Sequence, residues 1–154
     1  MTARVGCDLQ AVAPVAQALA HRGRRYLRAV CAPEEVQDLT GGGAGMPAPE
    51  SVAGRFAAKE AVLKVLRPEP DDAVPWPHIL IRSGPGGEPR VQLRGTAQRL
   101  ARQAGLEGWS VSISHDGPFA MAVAVATESP GDDTDAGAST DTELSCGAGA
   151  AGNP

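Results

Sequence analysis

The chain predicts an α+β domain with mainly antiparallel pairing, in the order β-α-α-α-β-β-α-β-β, followed by a disordered acidic tail. Three observations carry that prediction. Residues 55–66 (RFAAKEAVLKVL) are mostly strong helix formers, with no Gly or Pro among them. Residues 76–82 and 90–94, and again 109–114 and 119–126, are strand-like runs joined by short Gly/Pro turns, which makes two hairpins. From about Thr127 the chain reads TESPGDDTDAGASTDTELSCGAGAAGNP, with one Leu and no aromatic residue. Such a stretch cannot bury enough apolar surface to offset its ordering entropy. The domain is therefore placed at residues 1–126 and the tail at 127–154.

Each element has a local reason. Residues 3–9 (ARVGCDL) form a short strand with Val5, Cys7 and Leu9 on one face and Asp8 turned to the other. Residues 11–20 read as a helix, and its continuation over 21–28 is strongly basic. Pro33 suits the first turn of another short helix, where Glu34 and Glu35 meet the positive end of the dipole. Residues 40–49 (TGGGAGMPAP) form a loop, and the principal helix follows over about 51–66 until Pro68 and Pro70 stop it. Residues 84–89 turn the first hairpin. Thr96 caps a helix reaching about Ala104 and ended by Gly105, and residues 115–118 (HDGP) turn the second hairpin.

Charge and composition narrow the function. The net charge of −4 hides a division, because the domain holds 14 cations against 12 acids whereas the tail holds six acids and no cation. A domain at +2 is not basic enough for a general nucleic-acid binder. Cys7, Cys31 and Cys146 are odd in number and form no CxxC, which argues against a disulfide framework or zinc site. No N-terminal apolar run has the form of a signal peptide, and no apolar stretch approaches membrane-spanning length. The expectation is a soluble cytoplasmic protein without a nucleic-acid or membrane partner.

Four places carry candidate chemistry. Asp8 stands among apolar strand residues, where a lone carboxylate is costly unless it is paired, metal-bound or used as a helix cap. Phe56, Glu60 and Lys64 line one side of the principal helix, so Glu60 and Lys64 either form an i,i+4 surface pair or serve a ligand. In the second case Glu60 and Asp8 jointly hold Mg²⁺, which takes one or two carboxylates and substrate phosphates, and Lys64 meets a phosphate as a point charge. Ser112, Ser114 and His115 fit either turn-capping or a site; without a G-x-S-x-G elbow they do not make a hydrolase. The fourth place is the basic run with His21, Arg22, Arg24, Arg25 and Arg28, which exceeds what a helix end needs and fits an acidic protein or phosphates.

Together these pieces resemble the holo-acyl-carrier-protein synthase type of 4′-phosphopantetheinyl transferase. Gly6-Cys7-Asp8-Leu9 matches that family's G-x-D-hydrophobic strand end. Residues 55–65 match its R-F-A-x-K-E-A-x-x-K-A helix, with Val65 in place of the last Ala. Gly87-Glu88-Pro89-Arg90-Val91 matches a G-x-P-x-[VI] hairpin, and residues 111–115 and 120–125 match V-S-[IL]-[ST]-H followed by A-x-A-x-V. The similarity covers about residues 3–126. One departure follows the signature helix, where Arg67-Pro68-Glu69-Pro70 replaces a G-T-G-[IL] turn.

The resemblance implies the 4′-phosphopantetheinyl transferase-like fold and transfer of the phosphopantetheine arm of coenzyme A to a serine of an apo carrier protein. It implies Mg²⁺ on Asp8 and Glu60, with phosphates on Lys64. Arg55, Ser114 and His115, with Gly87 and Pro89 of the hairpin, are implied along the coenzyme. The serine proton goes to a metal-bound water or to Glu60. Arg22, Arg24, Arg25 and Arg28 are implied to dock an acidic acyl carrier protein, of fatty-acid or polyketide assembly, and the family's short members imply a homotrimer. The alternative is a carrier-protein-binding module that has lost catalysis, motivated by the replaced turn after Leu66. For the tail the expectation is an inert extension, the other reading being competition with acidic carrier proteins for the basic patch.

Overall fold

A computed structural model of the chain describes residues 2–129. The expected tail lies, from residue 130 onward, outside the described residues. The elements are β1 (Ala3–Ala11), α1 (Val12–Arg22), α2 (Arg24–Val30), α3 (Pro33–Thr40), α4 (Pro49–Leu66), β2 (Ile79–Ser83), β3 (Pro89–Leu93), α5 (Gly95–Gln103), β4 (Leu106–Asp116) and β5 (Phe119–Glu128). A single 3-10 turn, Trp76–His78, precedes β2 and takes up residues expected to be strand. Both hairpins are present, and every strand pair is antiparallel: β1-β5-β4 form one sheet and β2-β3 a second.

The helix count before β2 differs from expectation. The helix expected to run on from residue 11 through the basic segment is broken at Gly23, whose φ of 50° and ψ of −128° suit a residue without a Cβ. Gly23 N–H still closes α1 by donating to Leu19 O, and its own carbonyl accepts from Tyr26 and Leu27 to start α2. Among the described residues four helices therefore precede β2 where three were expected.

α4 is the central element. Val52, Ala53, Arg55, Ala57, Ala58, Lys59, Ala61, Val62, Val65 and Leu66 are all buried, so the helix is enclosed on most of its circumference. Only the strip of Phe56, Glu60, Leu63 and Lys64 reaches the surface along its second half. One side packs on β5, whose inward residues Ala120, Ala122, Ala124 and Ala126 are small and let the helix sit close. Gly6 of β1 serves the same closeness, since a Cβ there would stand 2.1 Å from Ala61 O. The opposite side packs on Ile79 and Ile81 of β2.

The outer face of β1 and β5 is largely apolar and uncovered in the single chain. Val5 and Leu9 are 61% and 60% exposed, and Phe119 and Met121 each 45%. Alternation along β1 leaves Asp8 on the α4 side, as the strand pattern indicates. Among the described residues no helix is long and apolar enough to cross a membrane.

Candidate active site

β1 and α4 meet where Asp8 and Glu60 stand. Lys64 Nζ donates to Asp8 Oδ1 at 2.9 Å and to Cys7 O at 2.7 Å, and Gln10 Nε2 donates to Asp8 Oδ2 at 2.6 Å. Asp8 is not a helix cap, because α1 begins after Ala11 and has no side-chain cap. The simple surface pair of Glu60 with Lys64 is not formed either; the ammonium spans 56 residues of sequence to reach Asp8.

Glu60 forms no ion pair among the described residues. Burial raises its pKa above the ordinary carboxylate value, the Asp8 charge raises it further, and Lys64 opposes both. Lys64 is raised in turn, chiefly by its hydrogen bond to Asp8. Two carboxylates that feel each other's charge across a strand–helix seam gain from a cation placed between them. Among the described residues no cluster of three or more His, Cys, Asp and Glu could hold a metal. The donor set is thus two hard oxygen groups, which fits a magnesium-type ion that fills its shell with water and phosphate. Phe56, on the same strip, packs its ring against Trp76 at 5.1 Å between centroids and 62° between planes.

A second hollow of about 340 Å³ lies between the start of α4 and the two hairpins, bordered by Asp38, Gly54, Arg55, Gly87, Pro89 and His115. It brings together four of the residues expected along the coenzyme. Arg55 is largely committed to β2: Nη1 donates to Ile81 O at 2.6 Å and Nη2 to Ser83 Oγ at 2.7 Å. His115 Nε2 lies 3.0 Å from Glu50 O. Asp38 receives the Arg82 fork and Ser83 N–H, and the Arg82 hydrogen bond holds its carboxyl below the usual range. Ser114 stands apart from this group. It is paired with Met121 and borders a hollow on the outer sheet face with Leu9 and Phe119.

The carboxylate pair and the hollow are separate in one chain. Arg55 and Glu60 are five residues apart, about 140° around the helix at roughly 100° per residue. The basic candidates form a third group: Arg22 ends α1, Arg24, Arg25 and Arg28 lie on α2, and none makes an ion pair among the described residues. Past Leu66 the departing turn is closed by Arg67 in the left-handed region, φ 51°, whose N–H donates to Leu63 O at 3.1 Å.

One pair of residues escaped the sequence reading. Glu34 and Glu35 look equivalent at the start of α3, yet only Glu34 stays at the surface, on Arg94. Glu35 is buried against Lys59 with an Nζ–Oε2 distance of 2.7 Å. The available signal was Lys59 itself, an ammonium flanked along its helix by Ala58, Val62 and Arg55, where only a buried acid can compensate it.

The chain matches the family model of the 4′-phosphopantetheinyl transferase superfamily over residues 4–124. It is 40% identical over 123 residues to the holo-[acyl-carrier-protein] synthase of Beutenbergia cavernae, covering 80% of this chain and 96% of that protein. To the enzyme of the same name from Desulfovibrio desulfuricans it is 35% identical over 125 residues, 80% of this chain and 95% of the relative. Its fold is similar to a solved Chronobacterium ammoniagenes ACPS–CoA complex, with a TM-score of 0.70 at 29% identity, covering 84% of this chain and 100% of the other. It is likewise similar to Helicobacter pylori holo-[acyl-carrier-protein] synthase in complex with coenzyme A, with a TM-score of 0.67 at 26% identity, covering 80% and 99%.

Proposed function

The chain belongs to the 4′-phosphopantetheinyl transferase superfamily, and from that premise we propose how its own residues carry out holo-acyl-carrier-protein synthesis. The enzyme transfers the phosphopantetheine arm of coenzyme A to a serine of an apo carrier protein. The observation that carries the assignment of the site is the seam where Lys64 holds Asp8 beside Glu60, which has no ion pair among the described residues.

The serine oxygen attacks the phosphorus that bears the pantetheine arm. A new P–O bond forms, the bond to the bridging pyrophosphate oxygen breaks, and adenosine 3′,5′-bisphosphate leaves with the bonding pair. Asp8 and Glu60 would hold Mg²⁺, which when bound neutralises charge gathering on the pyrophosphate. Lys64 supplies the other positive charge, exchanging its Asp8 contact for a phosphate oxygen. Among this chain's side chains Glu60, the carboxylate beside Asp8 at the seam, is the one assigned to accept the serine proton. Arg55, Gly87, Pro89 and His115 shape the hollow for the nucleotide end of the coenzyme. Ser114 borders the coenzyme from the outer face of the sheet.

One ligand must then span the carboxylate seam and a hollow on another side of α4. A homotrimer meets that need by pairing the seam of one copy with the hollow of the next, and the uncovered Val5, Leu9, Phe119 and Met121 face supports it. Arg22, Arg24, Arg25 and Arg28 dock an acidic carrier protein of fatty-acid or polyketide assembly in the cytoplasm. The alternative, a binding module without catalysis, draws on the Arg67–Pro70 replacement; the intact Asp8 and Glu60 favour the enzyme.

Incubation with coenzyme A, Mg²⁺ and apo carrier protein is expected to add the mass of the arm to the carrier. No gain across several carriers, together with no coenzyme binding by calorimetry, overturns the proposal.

A further inference from the structure

Residues 9–33 contain no acid, and within them stand His21, Arg22, Arg24, Arg25 and Arg28. His21, Arg22 and Arg25 border an open hollow of about 440 Å³. Elsewhere on the surface Arg82, Arg90, Arg94 and Arg99 each have an acid partner. The four arginines of α1 and α2 have none among the described residues, and Arg24 alone is tied down, to Ala44 O. The patch is a concentrated positive charge on a domain whose described residues hold 14 cations against 13 acids, and outside its four arginines 10 cations against the same 13 acids.

The complementary charge is in the same chain. Residues 130–154 hold Asp132, Asp133, Asp135, Asp141 and Glu143 and no Lys or Arg. They lie beyond the family match, which ends at residue 124. We propose that this acidic segment lies on the basic patch of α1 and α2 and there competes with the acidic carrier protein. The competition rests on the proposed transferase function; the contact does not.

Reach permits it. Ser129 is anchored by its N–H to Gly105 O at 2.8 Å, and Glu143 follows fourteen residues later. Fourteen extended residues span up to about 50 Å, whereas a domain of this length has a radius of gyration of about 14 Å. The acids can therefore reach any face of their own subunit. A tether of this kind gives an effective concentration in the mM range, so a weak electrostatic contact suffices to compete with a dilute partner.

The contact is tested with a paramagnetic label on Cys146 in a Cys7→Ser background, since Cys7 is exposed and Cys31 buried. At ~20 mM salt the amide signals of residues 21–28 are expected to broaden, and to recover at ~0.5 M salt, where the screening length is only a few Å. They are also expected to recover when Asp132, Asp133, Asp135 and Asp141 are changed to Asn and Glu143 to Gln. Absent broadening, or broadening that persists in the neutralised segment, overturns the contact. For the competition, the neutralised full-length protein is expected to show a several-fold lower KM for apo carrier protein at low salt, with kcat unchanged. An equal KM overturns the competition while leaving transfer standing. Transfer absent from both proteins overturns the functional reading and the competition with it, and the broadening still reports the contact.

Discussion

Lys59 Nζ lies 2.7 Å from Glu35 Oε2, and neither side chain has any exposure to solvent. The ammonium also donates to Trp76 O and Ile79 O, so its three protons are all used. Glu35 also accepts Ala32 N–H and Ile81 N–H, each at 2.8 Å. The pair thus ties α3, α4 and the entrance of β2 together, and that junction holds the hollow beside Arg55 in shape. Burial pushes the neighbouring Cys31 thiol up to about 12, with the Glu35 charge adding to it, so it stays a neutral packing group.

Breaking this junction is expected to be costly. Lys59→Met leaves a buried carboxylate without its cation, at about 3–5 kcal/mol. Replacing both partners, Lys59→Met with Glu35→Leu, removes the charge problem but takes the acceptor from Ala32 N–H and Ile81 N–H and the Lys59 donor from Ile79 O, so stability is not restored. Urea denaturation checks this; a double variant as stable as the parent would show that the backbone bonds contribute nothing.

Glu60 sets a pH dependence. Its folded pKa is raised, so the folded chain keeps a proton that the unfolded chain has lost. Without metal, stability therefore falls as pH rises from the ordinary carboxylate range through the raised value. Glu60→Gln is expected to remove that fall and also the rise in melting temperature produced by Mg²⁺. Thermal melts across pH with and without Mg²⁺ read both, and an unaltered Mg²⁺ response in the variant excludes Glu60 as a ligand.

Lys64→Met removes the charge proposed to meet the leaving phosphate and frees Asp8 of its partner. A kcat lower by about 100-fold or more is expected, in the range found for lost electrostatic groups. Steady-state kinetics with saturating carrier protein decide it, and a kcat near the parent value would assign Lys64 to holding Asp8 alone.

Gly6→Ala places a methyl group 2.1 Å from Ala61 O, a backbone atom that no rotamer change can move. β1 must lift from α4, at about 1–3 kcal/mol, and Asp8 moves away from Glu60 with it. A loss of stability accompanied by a weaker Mg²⁺ response is the expected outcome. Loss of stability with a full Mg²⁺ response would mean that the seam tolerates the shift.

Leu9 and Met121 are cross-strand neighbours on the uncovered sheet face. A charge at either position, Leu9→Glu or Met121→Glu, is expected to yield monomers with little transfer activity and an intact fold. Sedimentation velocity and circular dichroism measure the two halves of that statement; a monomeric parent protein would refute the shared site.

Several features follow from short-range pattern. The strip of Phe56, Glu60 and Lys64 is a consequence of helical spacing, and the opposition of Asp8 to Val5, Cys7 and Leu9 is a consequence of strand alternation. Both hairpins, the end of α4 before Pro68 and the motifs that mark the family were equally legible, because each depends on neighbours within a few residues. The break at Gly23 was harder to see: a lone glycine inside a helical pattern is often tolerated, and its backbone angles decide the matter.

Tertiary structure settled what lies far apart in the chain. Lys64 turned to Asp8 rather than to Glu60, Glu35 went inward while Glu34 stayed at the surface, and Ser114 fell on the opposite side of the sheet from the Arg55 hollow. Sequence periodicity sorts residues onto faces but does not say which face a distant element will cover. That depends on where α4 lies, and α4 lies against Gly6 and the alanines of β5, whose lack of bulk leaves room for it.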